Sequence, residues 1–267
     1  MEYGELVARA SAAAIEGWDF TALRGRVVEE PLPWSYERLL RDRLNGAASL
    51  LDMGTGGGEF LAGLTPLPPR TAATEGHPPN LPIARRRLEP LGVEVAAIRE
   101  DDVLPFPADA FAVVANRHES YDPREVRRVL AGDGVFVTQQ VGGRDLEEVN
   151  RALGAPPLAY RGWDLARAAA GLAEAGLTVT WSARARVRTS FHDVGALVLF
   201  LRMVPWQVPD FDAVRYGPHL RALHDRMAAG RPLTAHAHRF ALLARRSPGA
   251  GARRASGLTC STPRGRW

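Results

Sequence analysis

The sequence predicts an α/β fold: a doubly wound, seven-stranded, mostly parallel sheet, preceded by N-terminal helices and carrying a helical insertion between its sixth and seventh strands. Three observations predict it. Residues 50–61 form an apolar run that ends in Asp52, passes through four glycines within five positions and becomes a helical pattern at Phe60, Leu61 and Leu64. Apolar strand-like runs then alternate with helical periodicity as far as residue 141, which is the signature of βαβ units. The run 111–116 is almost wholly apolar without alternation, as a strand must be when helices cover both faces of its sheet.

The elements follow in order. Leu6, Val7, Ala10 and Ala14 share one helical face that ends near Gly17. A turn with Pro31 and Pro33 leads to Ser35, the N-cap of a helix carrying Tyr36, Leu39, Leu40 and Leu44. The first strand runs into the glycine turn at residues 48–53, and the second spans residues 71–75. Asn80 is placed to cap a helix with Leu81, Ala84 and Leu88 that stops near Gly92. Residues 93–98 read as the third strand and 111–116 as the fourth. Asp122, Pro123 and Glu125 suit an N-cap, an N1 proline and a capping-box acid for a helix through Val126, Val129 and Leu130. Gly132-Asp133-Gly134 turns into a fifth strand at 135–141. Helices are expected at 145–153 and 163–175, a sixth strand at 179–187 and a seventh at 233–244. The intervening stretch, about 188–231, carries two helical patterns at 193–204 and 212–228. A long connection with its own helices is usually a functional lid.

The glycine turn indicates a ligand that touches backbone, because glycine is costly to order and opens close approach. A dinucleotide fingerprint would need glycine at position 59, where Glu59 stands. Asp52-Met53-Gly54-Thr55-Gly56-Gly57-Gly58 instead resembles motif I of the class I S-adenosylmethionine-dependent methyltransferases, acidic-x-Gly-x-Gly-x-Gly. Glu75 lies 17 residues after Gly58, about where a doubly wound fold places the acid that bonds ribose hydroxyls. Residues 100–107 are similar to the family segment in which an aspartate bonds the adenine amino group, here Asp101 or its neighbour Asp102. Val103 or Leu104 would pack on the adenine face. The resemblance spans residues 48–141 and implies a Rossmann-like methyltransferase fold with S-adenosylmethionine as cofactor. It implies cofactor contacts from Asp52, Gly54, Thr55, Gly56, Gly58, Glu75, Gly76, Asp101, Asp102, Val103 and Asn116. Where the family usually has Pro-Gly-Gly before the fifth strand, Asp133 replaces the middle glycine. The resemblance also implies domain limits: cap helices over residues 1–46, a methyltransferase domain over 47–246 and a basic tail over 247–267.

Composition narrows the class. With 267 residues and 46% hydrophobic content, the chain can bury a full core. Its most apolar stretch, 194–204, is too short to cross a bilayer and is broken by Arg202. The first residues lack the basic start and apolar run of a signal peptide, so a cytoplasmic protein without membrane partners is expected. Cys260 is the single cysteine, which excludes an internal disulfide and a cysteine-based zinc cluster. All 34 basic residues are arginine, and the formal charge is +4. Arg253, Arg254, Arg264 and Arg266 account for that excess, leaving residues 1–246 neutral. The basicity therefore belongs to a Gly/Ser/Pro/Arg-rich tail that reads as a disordered, solvated extension, and nucleic acid is not favoured as partner.

Methyl transfer from a sulfonium is an in-line displacement, and a base is needed only for an acceptor that must lose a proton. The segment after the fourth strand, Asn116 to Tyr121, is placed at the chemistry because ligands of doubly wound sheets bind beyond the carboxyl ends of strands. His118 is the natural base, with Glu119 to orient it and His192 as a second candidate on the lid side. Trp34, Tyr36, Arg117 and Trp206 are candidates to contact the acceptor. His236 and His238 alternate on one side of the last strand without an evident third ligand, so no metal is expected. No Asn-Pro-Pro-Tyr-like run follows the fourth strand, which argues against nucleobase-amine and glutamine-amide acceptors. The expected acceptor is a small or medium-sized molecule methylated on oxygen, nitrogen or carbon, with a homodimer possible. An RNA or protein methyltransferase using the tail, or a cofactor-binding protein that transfers no methyl, are the alternatives.

Overall fold

The computed structural model describes residues 2–15, 20–99 and 103–247. Its helices are α1 (Tyr3–Ala12), α2 (Tyr36–Leu44), α3 (Glu59–Ala62), α4 (Leu81–Leu88), α5 (Pro123–Val129), α6 (Glu147–Leu153), α7 (Leu165–Glu174), α8 (Val194–Met203) and α9 (Gly217–Ala228). Its strands are β1 (Val27–Glu29), β2 (Ser49–Met53), β3 (Arg70–Glu75), β4 (Glu94–Ala97), β5 (Phe111–Arg117), β6 (Leu130–Val141), β7 (Leu177–Phe191) and β8 (Leu233–Arg246). They form one sheet in the order β1-β7-β8-β6-β5-β2-β3-β4. β4, β3, β2, β5 and β6 are parallel, whereas β8 is antiparallel to β6 and β7, and β1 is antiparallel to β7.

The sheet thus has eight strands, not the expected seven. The extra strand is the Val-Val-Glu segment at 27–29, which pairs with Thr189, Ser190 and Phe191 at the outer edge. Three residues carry too little periodicity to be recognised, and β1 covers part of an edge that β7 would otherwise present bare. β7 outruns its predicted end by four residues, so the connection to β8 begins at His192 and not near 188. The predicted turn at Gly132-Asp133-Gly134 lies inside β6, at a register irregularity opposite Phe111 and Val113.

Each face of the sheet carries its own apolar layer. Leu50, Val113, Ala115 and Val137 pack with Tyr36, Leu40, Leu61 and Leu88, on the side of α2, α3 and α4. Leu51, Val114, Phe136 and Leu242 pack with Val126, Val129, Ala168 and Leu172, on the side of α5 and α7. All five residues of β2 are buried, as a central parallel strand requires. A third core joins α1, α6, α8 and α9 to the far ends of β7 and β8. α8 is buried nearly all round, the behaviour of a helix with apolar residues on every face.

Two local expectations fail for traceable reasons. Asn80 precedes α4 but accepts no capping hydrogen bond, and its amide is buried without a partner. Asp122 does cap α5, accepting from Arg124 N–H at 2.8 Å. Glu125 does not close a capping box, because its carboxylate is taken by Arg128 and by Leu104 N–H.

Candidate functional site

β2 lies between β3 and β5, and the chain leaves it in one direction to β3 and returns on the other side at β5. The carboxyl ends of β2 and β5 are therefore the switch point where doubly wound sheets bind ligands. The glycine loop occupies it. Gly54, Gly56 and Gly58 have φ of +68°, +63° and +81°, a region closed to most side chains. A Cβ on Gly58 would stand 2.8 Å from Leu88 Cγ, so this glycine serves the contact between loop and α4. Gly76 is different: a Cβ there would meet only Ile98 O, at 3.5 Å.

Asp52 and Glu75 flank the loop, both almost fully buried. Glu75 accepts from Gly56 N–H and from His77 N–H, each at 2.6 Å, and so ties the loop to the end of β3. Burial raises its pKa, against the pull of those two amides. Thr74 holds the other side of the loop, its carbonyl accepting from Thr55 N–H at 2.9 Å and its hydroxyl from Gly54 N–H at 3.3 Å. Burial pushes Asp52 up to about 6; the Thr55 hydroxyl and Arg117 oppose the rise, and the Glu75 carboxylate adds to it. Arg117, at the end of β5, lies with its guanidinium 4.9 Å from the Phe60 ring centre.

Asn116 projects to the opposite face. Its Oδ1 accepts from Thr138 Oγ1 at 3.1 Å and from Gln140 Nε2 at 2.6 Å, while its fully buried Nδ2 has no partner. Gln140 Nε2 also donates to Glu119 O at 3.1 Å. The Tyr121 hydroxyl is likewise buried and unpartnered, and burial raises its pKa.

His118 adopts φ +65°, rare outside glycine and a sign of a constrained site. Its N–H donates to Gln139 O at 2.8 Å. Its Nε2 lies 3.0 Å from Gln139 Nε2, and Gln139 Oε1 accepts from Trp34 Nε1 at 2.8 Å. Because Trp34 fixes which end of the amide is oxygen, Gln139 donates to His118, and the ring proton is left on Nδ1. His118 is exposed, yet desolvation by the surrounding chain, Arg239 and Arg117 hold its pKa well below the ordinary value. Arg239 is itself paired with Asp145, a nearly buried carboxylate that also accepts from His238 N–H at 2.7 Å.

Several predicted site residues lie elsewhere or act otherwise. Glu119 does not orient His118; its side chain lies on Gly54, where a Cβ would be 2.5 Å from Glu119 Cγ and 2.9 Å from Oε2. His192 stands at the far end of β7, its N–H on Arg26 O. Val141 at the end of β6 pairs with Arg239, whereas Phe191 pairs with Leu233, six residues further on; at about 3.4 Å per residue this puts His192 some 20 Å beyond the end of β6. Tyr36 is a core residue, 5% exposed, with its hydroxyl donating to Val137 O at 3.4 Å. Trp206 is 44% exposed in the segment after α8, beside Gln207, which is buried and donates to Asn150 Oδ1 at 2.7 Å. Asp101 and Asp102 fall outside the described residues, and Val103 is 69% exposed. His236 pairs with Glu148, and among the described residues no group of three potential ligands could hold a metal.

Sequence reasoning passed over Thr138, Gln139 and Gln140. The signal was there: three consecutive polar residues stand between Val137 and Val141 in an apolar run, and residues 134–140 of β6 are all buried, where polar groups must find partners.

The strand order, the acid-led glycine loop at the switch point and the acid ending the next strand together define the Rossmann-like fold of the class I S-adenosylmethionine-dependent methyltransferases. Solved structures share that fold. The chain is similar to a protein of unknown function from Deinococcus radiodurans R1, with TM-score 0.60 and 17% identity over 82% of this chain and 90% of the other. It is similar to a proposed methyltransferase from Bacillus halodurans C-125, with TM-score 0.58 and 17% identity over 80% and 99% of the two chains. A proposed sarcosine dimethylglycine methyltransferase from Galdieria sulphuraria aligns with TM-score 0.50 and 15% identity over 79% and 83%. No family model and no curated protein matches the sequence.

Proposed function

We propose that this chain is a methyltransferase that uses S-adenosylmethionine to methylate a small or medium-sized molecule on oxygen, nitrogen or carbon. The observation that carries the reading is the loop Gly54–Gly58, with Gly54, Gly56 and Gly58 in left-handed conformations, between Asp52 and Glu75 at the switch point of the sheet. The group fits these residues: Gly54, Gly56 and Gly58 bring no side chain of their own to the switch point, two carboxylates suit a cationic ligand that bears a diol, and the buried Asn116 amide has a donor without a partner.

In this reading Asp52, Gly54, Thr55, Gly56, Gly58, Glu75 and Gly76 hold the cofactor, with Asn116 near its reactive end. Asp101 or Asp102 and Val103 take the adenine. When bound, the cofactor supplies a methyl group on a positively charged sulfur. The chain supplies alignment, which can account for about 7–11 kcal/mol of barrier lowering. His118 is suited to donate a hydrogen bond from Nδ1 to an acceptor atom, since Nε2 already accepts from Gln139. Trp34 and Arg117 stand on the same side and are proposed to bound the acceptor. The segment 192–232, with α8 and α9, is proposed as the cap of a domain spanning residues 47–246, preceded by cap helices over 1–46.

Calorimetric titration with S-adenosylmethionine and S-adenosylhomocysteine tests this. Micromolar binding is expected, weakened by Asp52→Ala and by Glu75→Gln. No binding of either ligand would remove the methyltransferase reading and leave the fold standing.

A further inference from the structure

We propose that the methyl acceptor carries a carboxylate, seated between the Arg117 guanidinium and the Nδ1–H of His118 and recognised there by both. The inference rests on the methyltransferase reading above and deepens it, because it gives the acceptor a chemical class.

A row of polar side chains crosses the carboxyl ends of three neighbouring strands, β5, β6 and β8. Arg117, at the end of β5, pairs in register with Gln139 on β6. Gln139 is two residues from Val141, which pairs with Arg239 on β8. Register partners share a face of the sheet, as do residues two apart on one strand. Arg117, Gln139 and Arg239 therefore lie on one side, the side of α2 and α3. Trp34 joins the row by donating to Gln139 Oε1, and His118 joins it by accepting from Gln139 Nε2. The glycine loop hangs from β2 and β3, so the row stands across the switch point from it.

The two guanidiniums differ in what already holds them. Arg239 is mostly buried, bonds the Asp145 carboxylate and lies 3.8 Å from Glu29 Oε2, so its charge is taken. Arg117 is exposed and lies over the Phe60 ring, and among the described residues no carboxylate forms an ion pair with it. His118 adds a donor of another kind. Its ring proton stands on Nδ1, because Gln139 occupies Nε2, and among the described residues nothing accepts it there. Desolvation and the two arginines hold the ring neutral at pH 7, so it donates without adding charge.

These donors select the group. Arg117 offers one positive charge on a planar fork, which matches the two oxygens of a carboxylate side by side. The lone pairs left on that carboxylate suit one neutral N–H, as His118 supplies. A phosphate dianion would keep part of its charge without a partner. A neutral amide would set its own N–H groups against donors.

Three probes with one aromatic body test this on protein saturated with S-adenosylhomocysteine: benzoate, benzamide and phenyl phosphate. Binding is read from the Trp34 indole N–H and the His118 ring nitrogens in nitrogen-15 spectra. Benzoate is expected to shift both signals saturably, and benzamide to bind roughly tenfold more weakly or worse. Arg117→Met keeps an apolar stem on Phe60 and removes the fork. It is expected to weaken benzoate roughly tenfold to a hundredfold while leaving benzamide within about twofold. Arg117→Lys, which keeps the charge without the fork, is expected to fall between. Equal affinity for benzoate and benzamide, or equal losses of both in Arg117→Met, would overturn the proposal. Tighter binding of phenyl phosphate would assign the site to phosphate and overturn it too. Benzoate that binds the cofactor-free protein and is expelled by S-adenosylhomocysteine would give Arg117 to the cofactor's own carboxylate, with the same consequence. Wild-type protein that binds no S-adenosylhomocysteine would sink the methyltransferase reading itself. Protein that binds it and ignores benzoate would sink this assignment alone.

Discussion

Asp52 carries the conflict between stability and binding in a single side chain. It is 5% exposed and its pKa stands near 6, against 3.8 for the free group. In the folded protein the charged form is therefore the disfavoured one. Below pH 4 Asp52 is protonated in both states and costs nothing; between pH 4 and 6 the folded state holds the proton more tightly, so stability falls as pH rises; above 6 the full cost is present. At 1.36 kcal/mol per pKa unit that cost is about 2–3 kcal/mol. Asp52→Asn is expected to raise the thermal midpoint at pH 7.5 and leave it little changed at pH 4, while weakening cofactor binding. A variant no more stable than the wild type at pH 7.5 would show that the charge is compensated in the fold. His118 gives the second prediction at this scale. Its ring is expected to remain neutral, with the proton on Nδ1, from pH 8 down to pH 5 in nitrogen-15 spectra. Replacing Gln139 with Leu should return tautomer exchange, because the donor that holds Nε2 unprotonated is gone. A His118 titration near 6.5 in the wild type would restore the general-base reading.

Among the elements, what could be read from the chain depended on length and on which groups were buried. β2 and β5 were legible because burial on both faces makes them continuous apolar runs. β1 was not, since three residues have no period, and the end of β7 was missed because Thr189 and Ser190 resemble a loop until β1 pairs with them. The site was half legible for a related reason. Glycines and acids at fixed spacing show in one dimension, but the contact of Glu119 with Gly54 and the Trp34–Gln139–His118 chain join residues far apart in sequence. One such junction fixes an element boundary. Asp193 caps α8 through Ala196 N–H at 2.8 Å and also binds Arg26 just ahead of β1 through both carboxylate oxygens, at 2.5 and 2.8 Å. Asp193→Ala should cost about 1–2 kcal/mol, chiefly the lost cap, because the partly exposed ion pair adds little. Asp193→Asn, which can still cap, should cost less in chemical denaturation. Equal losses would assign the effect to the charge pair.

At the scale of the whole molecule, the helices outside the parallel sheet form a separate layer. α1 packs on α8, and both join α6 and α9 over the part of β7 and β8 that extends past the parallel strands. A layer with its own core can open without unfolding the sheet beneath it. Arg202, on α8, is the link that tests this. Its guanidinium donates to Ala10 O at 2.5 Å and Ala13 O at 2.9 Å, supplying the carbonyls at the end of α1 with the positive charge that helix C-termini favour. Arg202→Met keeps most of the apolar stem and removes only those bonds. Hydrogen exchange is expected to quicken in α1 and α8 and to stay unchanged in β2, β5 and β6. Affinity for S-adenosylhomocysteine should hold within twofold, because the cofactor loop hangs from β2 and β3. Quickened exchange throughout the sheet would mean that the two layers unfold as one. The helical segment 192–232 would then be a structural brace of the sheet, without the independent motion that a cap over the acceptor requires.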